Sequence, residues 1–179
     1  MVLGLDISTS FTGLTVLNED GSILHNEVID LRKKQYTTTF KKAKAVKDRL
    51  VELNQLYYIR EVYIEQSLSA FRPGLSSAQV ILTLGKFNGI ISWICCEVFG
   101  SEPEYIGAST ARKSLGIKVE RGQNAKEIVL KHVLDMEPSF KVEYTPKGNA
   151  KPGTYDRCDS WVIAKAGYKL CQKSKKSTF

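Results

Sequence analysis

Histidine is nearly absent from this 179-residue chain and cysteine is scarce, with two of the first and four of the second. The histidines, His25 and His132, fall in a predicted strand and a predicted helix and pair with no obvious nucleophile, which removes the usual imidazole base from consideration. Cys95, Cys96, Cys158 and Cys171 form no CxxC pair and have no neighbouring histidine set, so neither a zinc site nor a disulfide framework is indicated and reduced thiols are expected. No basic segment followed by a long apolar one opens the chain, and no uninterrupted apolar run approaches a membrane span. The expectation is a cytoplasmic protein with no membrane partner. Internal repeats, low-complexity linkers and signs of a second domain are missing too, so residues 1–179 read as one domain with a basic C-terminal tail from about residue 171.

What is present is an ordinary globular composition with a basic bias. Hydrophobic residues make up 42% and charged residues 25%, enough apolar material for a sizeable core, while a net charge of +7 and a pI near 9.2 favour an acidic partner. The positive charge is clustered, since thirteen of the 26 basic residues lie within Arg32–Arg49 and Lys165–Lys176. A solvated helix face and a solubilising tail would account for these clusters equally well.

Periodicity orders the elements. Residues 2–7 (VLGLDI) and 11–18 (FTGLTVLN) read as strands separated by a polar turn, and Asp20-Gly21 leads into a third strand near SILHNEVIDL. From Thr38 to about Tyr58, Phe40, Ala43, Val46, Leu50, Leu53 and Leu56 recur at helical steps. EVYIEQ at 61–66 is a strand, Ser76 to Val98 a long apolar helix, and Pro103 to Ile106 a last short strand. Ser109 or Thr110 is a candidate cap for a short helix ending near Gly116, and Asn124 with Glu127 resembles a capping box before IVLKHVL. Pro146, Gly148, Pro152 and Gly153 mark 144–155 as a loop, after which Asp156 starts a terminal helix running to about Leu170. The fold class is α/β, a five-stranded mixed sheet flanked by helices.

Four carboxylates stand at the ends of these elements: Asp6, Glu65, Asp156 and Asp159. A charge inside the apolar run at Asp6 is costly unless it meets a cation or hydrogen-bond donors, and Glu65 poses the same problem at the end of VYIE. Asp156 and Asp159 are three apart, which puts both on one helix face near its N-terminus, although Asp156 alone would also serve as an ordinary cap. Acidic groups so placed on a basic chain suggest metal ions meeting a polyanion. Oxygen-only ligands favour Mg²⁺, with Mn²⁺ as a substitute, and two such ions suit phosphodiester hydrolysis.

GLDISTSFTG at 4–13, YIEQ at 63–66, LGKFNG at 84–89, YIGASTARKSLGIK at 105–118 and DRCDSWVIAKA at 156–166 resemble, in the same order, segments of the RuvC-type Holliday-junction resolvases of the ribonuclease H-like superfamily. The resemblance implies a homodimeric, Mg²⁺-dependent endonuclease acting on branched DNA, especially four-way junctions. It assigns Asp6, Glu65, Asp156 and Asp159 to catalysis and to two metal ions per site, with Asp6 between them. It places Arg112, Lys113, Lys118, Arg121 and Lys126 on the DNA, and Leu68, Phe71 and Arg72 in a loop with a side chain that wedges between bases. Gly85 and Gly89, four apart on the apolar helix, would lie in the dimer interface; the same helix would serve as the core helix of a monomer. The loop at 144–155 is longer than in bacterial resolvases, and a compact resolvase ending in KSKKSTF fits a phage or viral source.

Three alternatives stay open. GLDISTSFTG also resembles the first phosphate loop of actin-like ATPases and sugar kinases, although 179 residues leave no room for their second domain. A nucleic-acid-binding module that lost its chemistry is the second. A related nuclease acting on forks, flaps or RNA is the third, because an acidic cluster sets the reaction and not the substrate shape.

Overall fold

The computed structural model of the chain describes residues 1–66 and 78–177, with side chains as far as Ser174. Three antiparallel strands come first, β1 (Val2–Ile7), β2 (Phe11–Leu17) and β3 (Ile23–Asp30). Helix α1 (Thr39–Tyr57) leads to β4 (Glu61–Glu65), and α2 (Ala78–Phe99) to β5 (Glu104–Ile106). Then follow α3 (Ala108–Ser114), α4 (Ala125–Met136) and α5 (Thr154–Ser177). The strands form one mixed sheet in the order β3-β2-β1-β4-β5, with β4 parallel to both β1 and β5.

Strict alternation divides the strand residues between two apolar layers. Leu3, Leu5, Leu14, Val16, Val62 and Ile64 join the core beneath α1 and α2. Val2, Leu17 and Tyr63 point the other way, into the layer built on Trp161, Ile163 and Ala164 of α5. By the same alternation Gly4, Asp6, Gly13, Thr15 and Glu65 belong to the α5 face. Small residues are needed there because the helix lies almost on the sheet. A Cβ at Gly4 would sit 2.5 Å from the Ser160 carbonyl oxygen and 2.6 Å from Ala164 Cα, and one at Gly13 would sit 2.5 Å from the carbonyl carbon of Asp156.

Several sequence expectations need correction. Thr38 does cap α1, accepting from Lys41 N at 3.2 Å, but Phe40 and Leu56 are 77% and 67% exposed, because only the central stripe Ala43, Val46, Leu50 and Leu53 reaches the sheet. The cap of α3 is Gly107 rather than Ser109 or Thr110. Asn124 caps α4 through Lys126 N at 3.1 Å, while Glu127 accepts from the Tyr155 hydroxyl instead of reaching back, so there is no reciprocal capping box. Helix α5 begins at Thr154, two residues before Asp156, and continues through the segment read as a tail. The loop at 144–155 contains a short hairpin closed by a bridge between Tyr144 and Ala150. Finally, α2 is long and apolar enough to cross a membrane by length and composition, with a mean hydropathy of 1.3. Its Phe87, Ile91, Ile94 and Cys95 nevertheless pack into the core, leaving Leu82 and Trp93 on an exposed face.

Candidate active site

Register brings two of the four carboxylates side by side. Leu5 pairs with Ile64 in the parallel β1–β4 ladder, so Asp6 and Glu65, the next residue on each strand, are neighbours at the C-terminal ends of the two central strands. The third and fourth come from above. Asp6 pairs with Gly13 across β1–β2, and the bare Cα of Gly13 admits the backbone of Asp156 directly over it. Asp159 follows one turn along α5 on the same helix face.

A polar clamp fixes that approach. Thr15 Oγ1 and Ser160 Oγ are 2.8 Å apart in the buried layer, and the Asn26 amide donates to Thr15 Oγ1 at 2.7 Å and to the Arg157 carbonyl at 3.1 Å. Arg157 returns the bond, its Nε donating to Asn26 Oδ1 at 2.7 Å. The clamp ties β3, β2 and α5 together through the residues just after Asp156. Nothing local in the sequence marks it, since Thr15 and Ser160 are 145 residues apart.

The electrostatics are those of a crowded acidic floor. Burial first, then Glu65, Asp159 and Asp156, push the Asp6 carboxyl well above the usual carboxylate range. Glu65 is pushed up to about 7 by burial and by Asp159, against the pull of Arg112. Asp159 is raised by burial and by Asp156, and Asp156 by burial, with Lys126 drawing both down. All four remain partly open to solvent. Among the described residues none of the ion pairs includes any of them. Four carboxylates that destabilise one another's charge, without a bonded cationic partner, form a site that favours added cations.

No three His, Cys, Asp or Glu side chains among the described residues close on one point as a finished cage. Mg²⁺ needs no such cage, since it keeps several waters and takes one or two carboxylates together with substrate phosphate. The all-oxygen donor set is compatible with the same ion.

Of the basic residues expected on DNA, two stand near the acidic floor. Arg112 on α3 acts on Glu65 and Asp159, and Lys126 in the first turn of α4 acts on Asp6, Asp156 and Asp159. Lys113, Lys118 and Arg121 are exposed on α3 and the connection to α4. Arg32, counted only with the basic cluster in the sequence, also acts on Asp156, held by a two-pronged contact to Asp30 at 2.9 and 2.8 Å and stacked over Phe11. Leu68, Phe71 and Arg72 lie outside the described residues. Gly85 and Gly89 lie on the exposed side of α2 with open space beside both.

No family model matches the chain, and no curated protein matches it. Solved structures do. A T. thermophilus RuvC in complex with a Holliday junction substrate superposes with a TM-score of 0.68 at 16% identity, covering 96% of this chain and 94% of that one. Another Thermus thermophilus RuvC structure gives 0.65 at 16% identity, over 97% and 96% of the two chains. A yeast mitochondrial Holliday junction resolvase gives 0.60 at 15% identity, over 99% and 84%. These bacterial and mitochondrial neighbours lend no support to a phage or viral source. At such identities the likeness is one of architecture, and the chain has the ribonuclease H-like fold of the RuvC resolvases over nearly its whole length.

Proposed function

We propose that this protein is a structure-selective endonuclease that hydrolyses phosphodiester bonds at four-way DNA junctions with divalent metal ions. The observation that carries the reading is the convergence of Asp6, Glu65, Asp156 and Asp159 on one face of the sheet without a bonded cationic partner. Three solved structures that share the fold over most of their length are of RuvC or a mitochondrial Holliday junction resolvase, one of them in complex with a junction substrate.

Asp6 neighbours Glu65 in the β1–β4 register and is acted on by Glu65, Asp159 and Asp156, so it is the residue suited to be shared by two ions. Glu65, Asp156 and Asp159 would hold the ions together with it. Two Mg²⁺ ions, or Mn²⁺ in their place, would supply activation of the attacking water and charge stabilisation of the leaving oxygen. Helix α5 contributes orientation, since the clamp through Asn26 and Ser160 holds its first turns against β2. Arg112 and Lys126 contribute positive charge beside an otherwise repulsive floor, which lets a phosphate approach. The products would carry a 5′-phosphate and a 3′-hydroxyl.

A junction presents two strands to cut, and a homodimer supplies two sites. The exposed side of α2 is the surface we assign to that contact: Leu82 and Trp93 are 52% and 66% exposed on it, and Gly85 and Gly89 between them allow close approach of a second backbone. The test is a cleavage comparison in Mg²⁺ among a four-way junction, a fork, a flap, a linear duplex and an RNA–DNA hybrid. Preference for the junction supports the reading, and preference for a fork, flap or hybrid replaces it with a related nuclease.

A further inference from the structure

The segment between α4 and α5 has no role in the chemistry above, yet it is built as a rigid finger. Gly148 N donates to Thr145 O at 2.9 Å, closing a turn with Pro146 at its second position and Gly148 in the left-handed region at φ 78°. Thr145 N donates to Asn149 O at 2.8 Å, and Tyr144 bridges Ala150. This is a three-residue hairpin loop in which each special position holds a residue suited to it. Its base is tied twice more, by Lys151 N donating to Glu143 O at 2.8 Å and by the Lys151–Glu143 ion pair at 2.6 Å.

The finger is also fastened to the active-site helix. Arg157, the residue after Asp156, donates to the Lys141 carbonyl at 3.1 Å and stacks over Phe140, which is buried in the core. Gly153 at the other end, with φ 90°, packs so closely beneath Val28 that a Cβ would sit 2.7 Å from Val28 Cγ1. At its near end Tyr144 is 53% exposed and within electrostatic reach of Tyr155, whose ring carries Lys126 5.5 Å from its centre. Lys147 is exposed at the turn and has no ion pair among the described residues.

An exposed aromatic on a fixed support, beside a basic residue that already reaches the acidic floor, has the chemistry of a single-strand contact. Base stacking on such a ring is sequence-tolerant, and a support that needs no ordering spends little of that contact on entropy. We infer that the 143–151 hairpin is a nucleic-acid finger, with Tyr144 stacking an unpaired or splayed base next to the scissile phosphate and Lys147 meeting the backbone. This rests on the proposed junction reading and adds to it a specificity element outside the carboxylates. Tyr144 positions substrate; it performs no chemical step.

The test uses a four-way junction with 2-aminopurine placed in turn at each nucleotide flanking the crossover, bound without divalent metal so that no strand is cut. Wild-type protein should quench one of these positions. Tyr144→Phe should keep the quench, whereas Tyr144→Ala should lose it and weaken junction binding roughly ten-fold or more with an unchanged salt slope. Lys147→Ala should leave the quench and reduce the slope of log affinity against log salt by about one. Tyr144→Ala that binds within about two-fold of wild type with its quench intact overturns the finger while junction cleavage stands. Wild-type protein that neither binds nor cuts the junction overturns the junction reading, and the finger's role with it.

Discussion

Replacing Gly13 by alanine is the sharpest structural probe of the site, because it touches no carboxylate. A Cβ there would meet the carbonyl carbon of Asp156 at 2.5 Å, and the oxygen closer still. Ordinary carbon–carbon contact is about 3.5–4.0 Å, so the first turns of α5 must retreat from β2 by about 1 Å or more. Backbone, unlike a flexible side chain, has no rotamer by which to yield. Overpacking of this kind costs roughly 1–3 kcal/mol, which for a chain of this size lowers Tm by roughly 2–12 °C. The functional loss should be larger, since a shift of about 1 Å in catalytic groups can lower the rate by about 100-fold. Gly167→Ala provides the control: its Cβ would strike the Tyr63 ring, at 2.6 Å from Cε2, eleven residues along α5 from Asp156 and about 16 Å away. Single-turnover junction cleavage in saturating Mg²⁺, corrected for folded fraction by thermal melts, should fall about 100-fold for Gly13→Ala and only several-fold for Gly167→Ala. Equal losses in the two variants, or near wild-type cutting by Gly13→Ala, would refute the claim that this contact sets the position of Asp156.

In metal-free buffer the raised pKa of Glu65 means that the folded state holds its proton more tightly than the unfolded chain, so stability present at acid pH is lost as pH rises from about 4.3 toward about 7. Glu65's share of the loss should be on the order of 2 kcal/mol for this partly exposed group; Mg²⁺ should restore it at pH 8, Glu65→Gln should remove that share while Asp6, Asp156 and Asp159, raised likewise, keep theirs, and melts showing equal Mg²⁺ stabilisation at pH 5 and pH 8 would contradict the assignment. Trp93→Glu and Gly89→Leu should each shift the protein from dimer toward monomer by sedimentation velocity, and wild-type protein that stays monomeric at micromolar concentration would remove α2 as an interface. Removing Lys113 and Lys126 together should flatten the salt dependence of junction binding by up to about two in slope, and an unchanged slope would mean that these charges only solvate the surface. Asn26→Ala should weaken cutting while leaving junction affinity in place, since it loosens the clamp on α5 without touching the acidic floor; an unchanged cleavage rate would mean that the clamp is purely structural.

The strands and their order of faces were readable because alternation along VLGLDI and EVYIE is a local signal, and Asp6 and Glu65 stood out as charges ending apolar runs. The pair on α5 was readable from its spacing of three. The start of the helix was not, because Asp156 has the chemistry of a cap and only the fold shows Thr154 in the first turn. Glu127 matched a capping box by spacing, yet tertiary structure gave it Tyr155 as a partner. The clamp through Thr15, Asn26, Arg157 and Ser160 joins residues far apart in the chain, where no periodicity links them. Gly4 and Gly13 sit inside strand patterns that give no hint of their purpose, which appears only when α5 is laid across the sheet. The 144–155 segment read as a loop because Pro and Gly mark a turn but do not reveal that its flanks pair.

The central claim, that four converging carboxylates hydrolyse DNA with divalent metal, is tested most directly by the cleavage rate of Asp6→Asn protein on a four-way junction in Mg²⁺. The residue neighbours Glu65 in the sheet and is acted on by both α5 carboxylates, so its neutralisation should abolish cutting while the protein stays folded. Metal-free junction binding should persist or tighten, because one negative charge has left the path of the phosphate. Folded Asp6→Asn protein that still cuts junctions at near wild-type rates would contradict the mechanism and place the active site elsewhere.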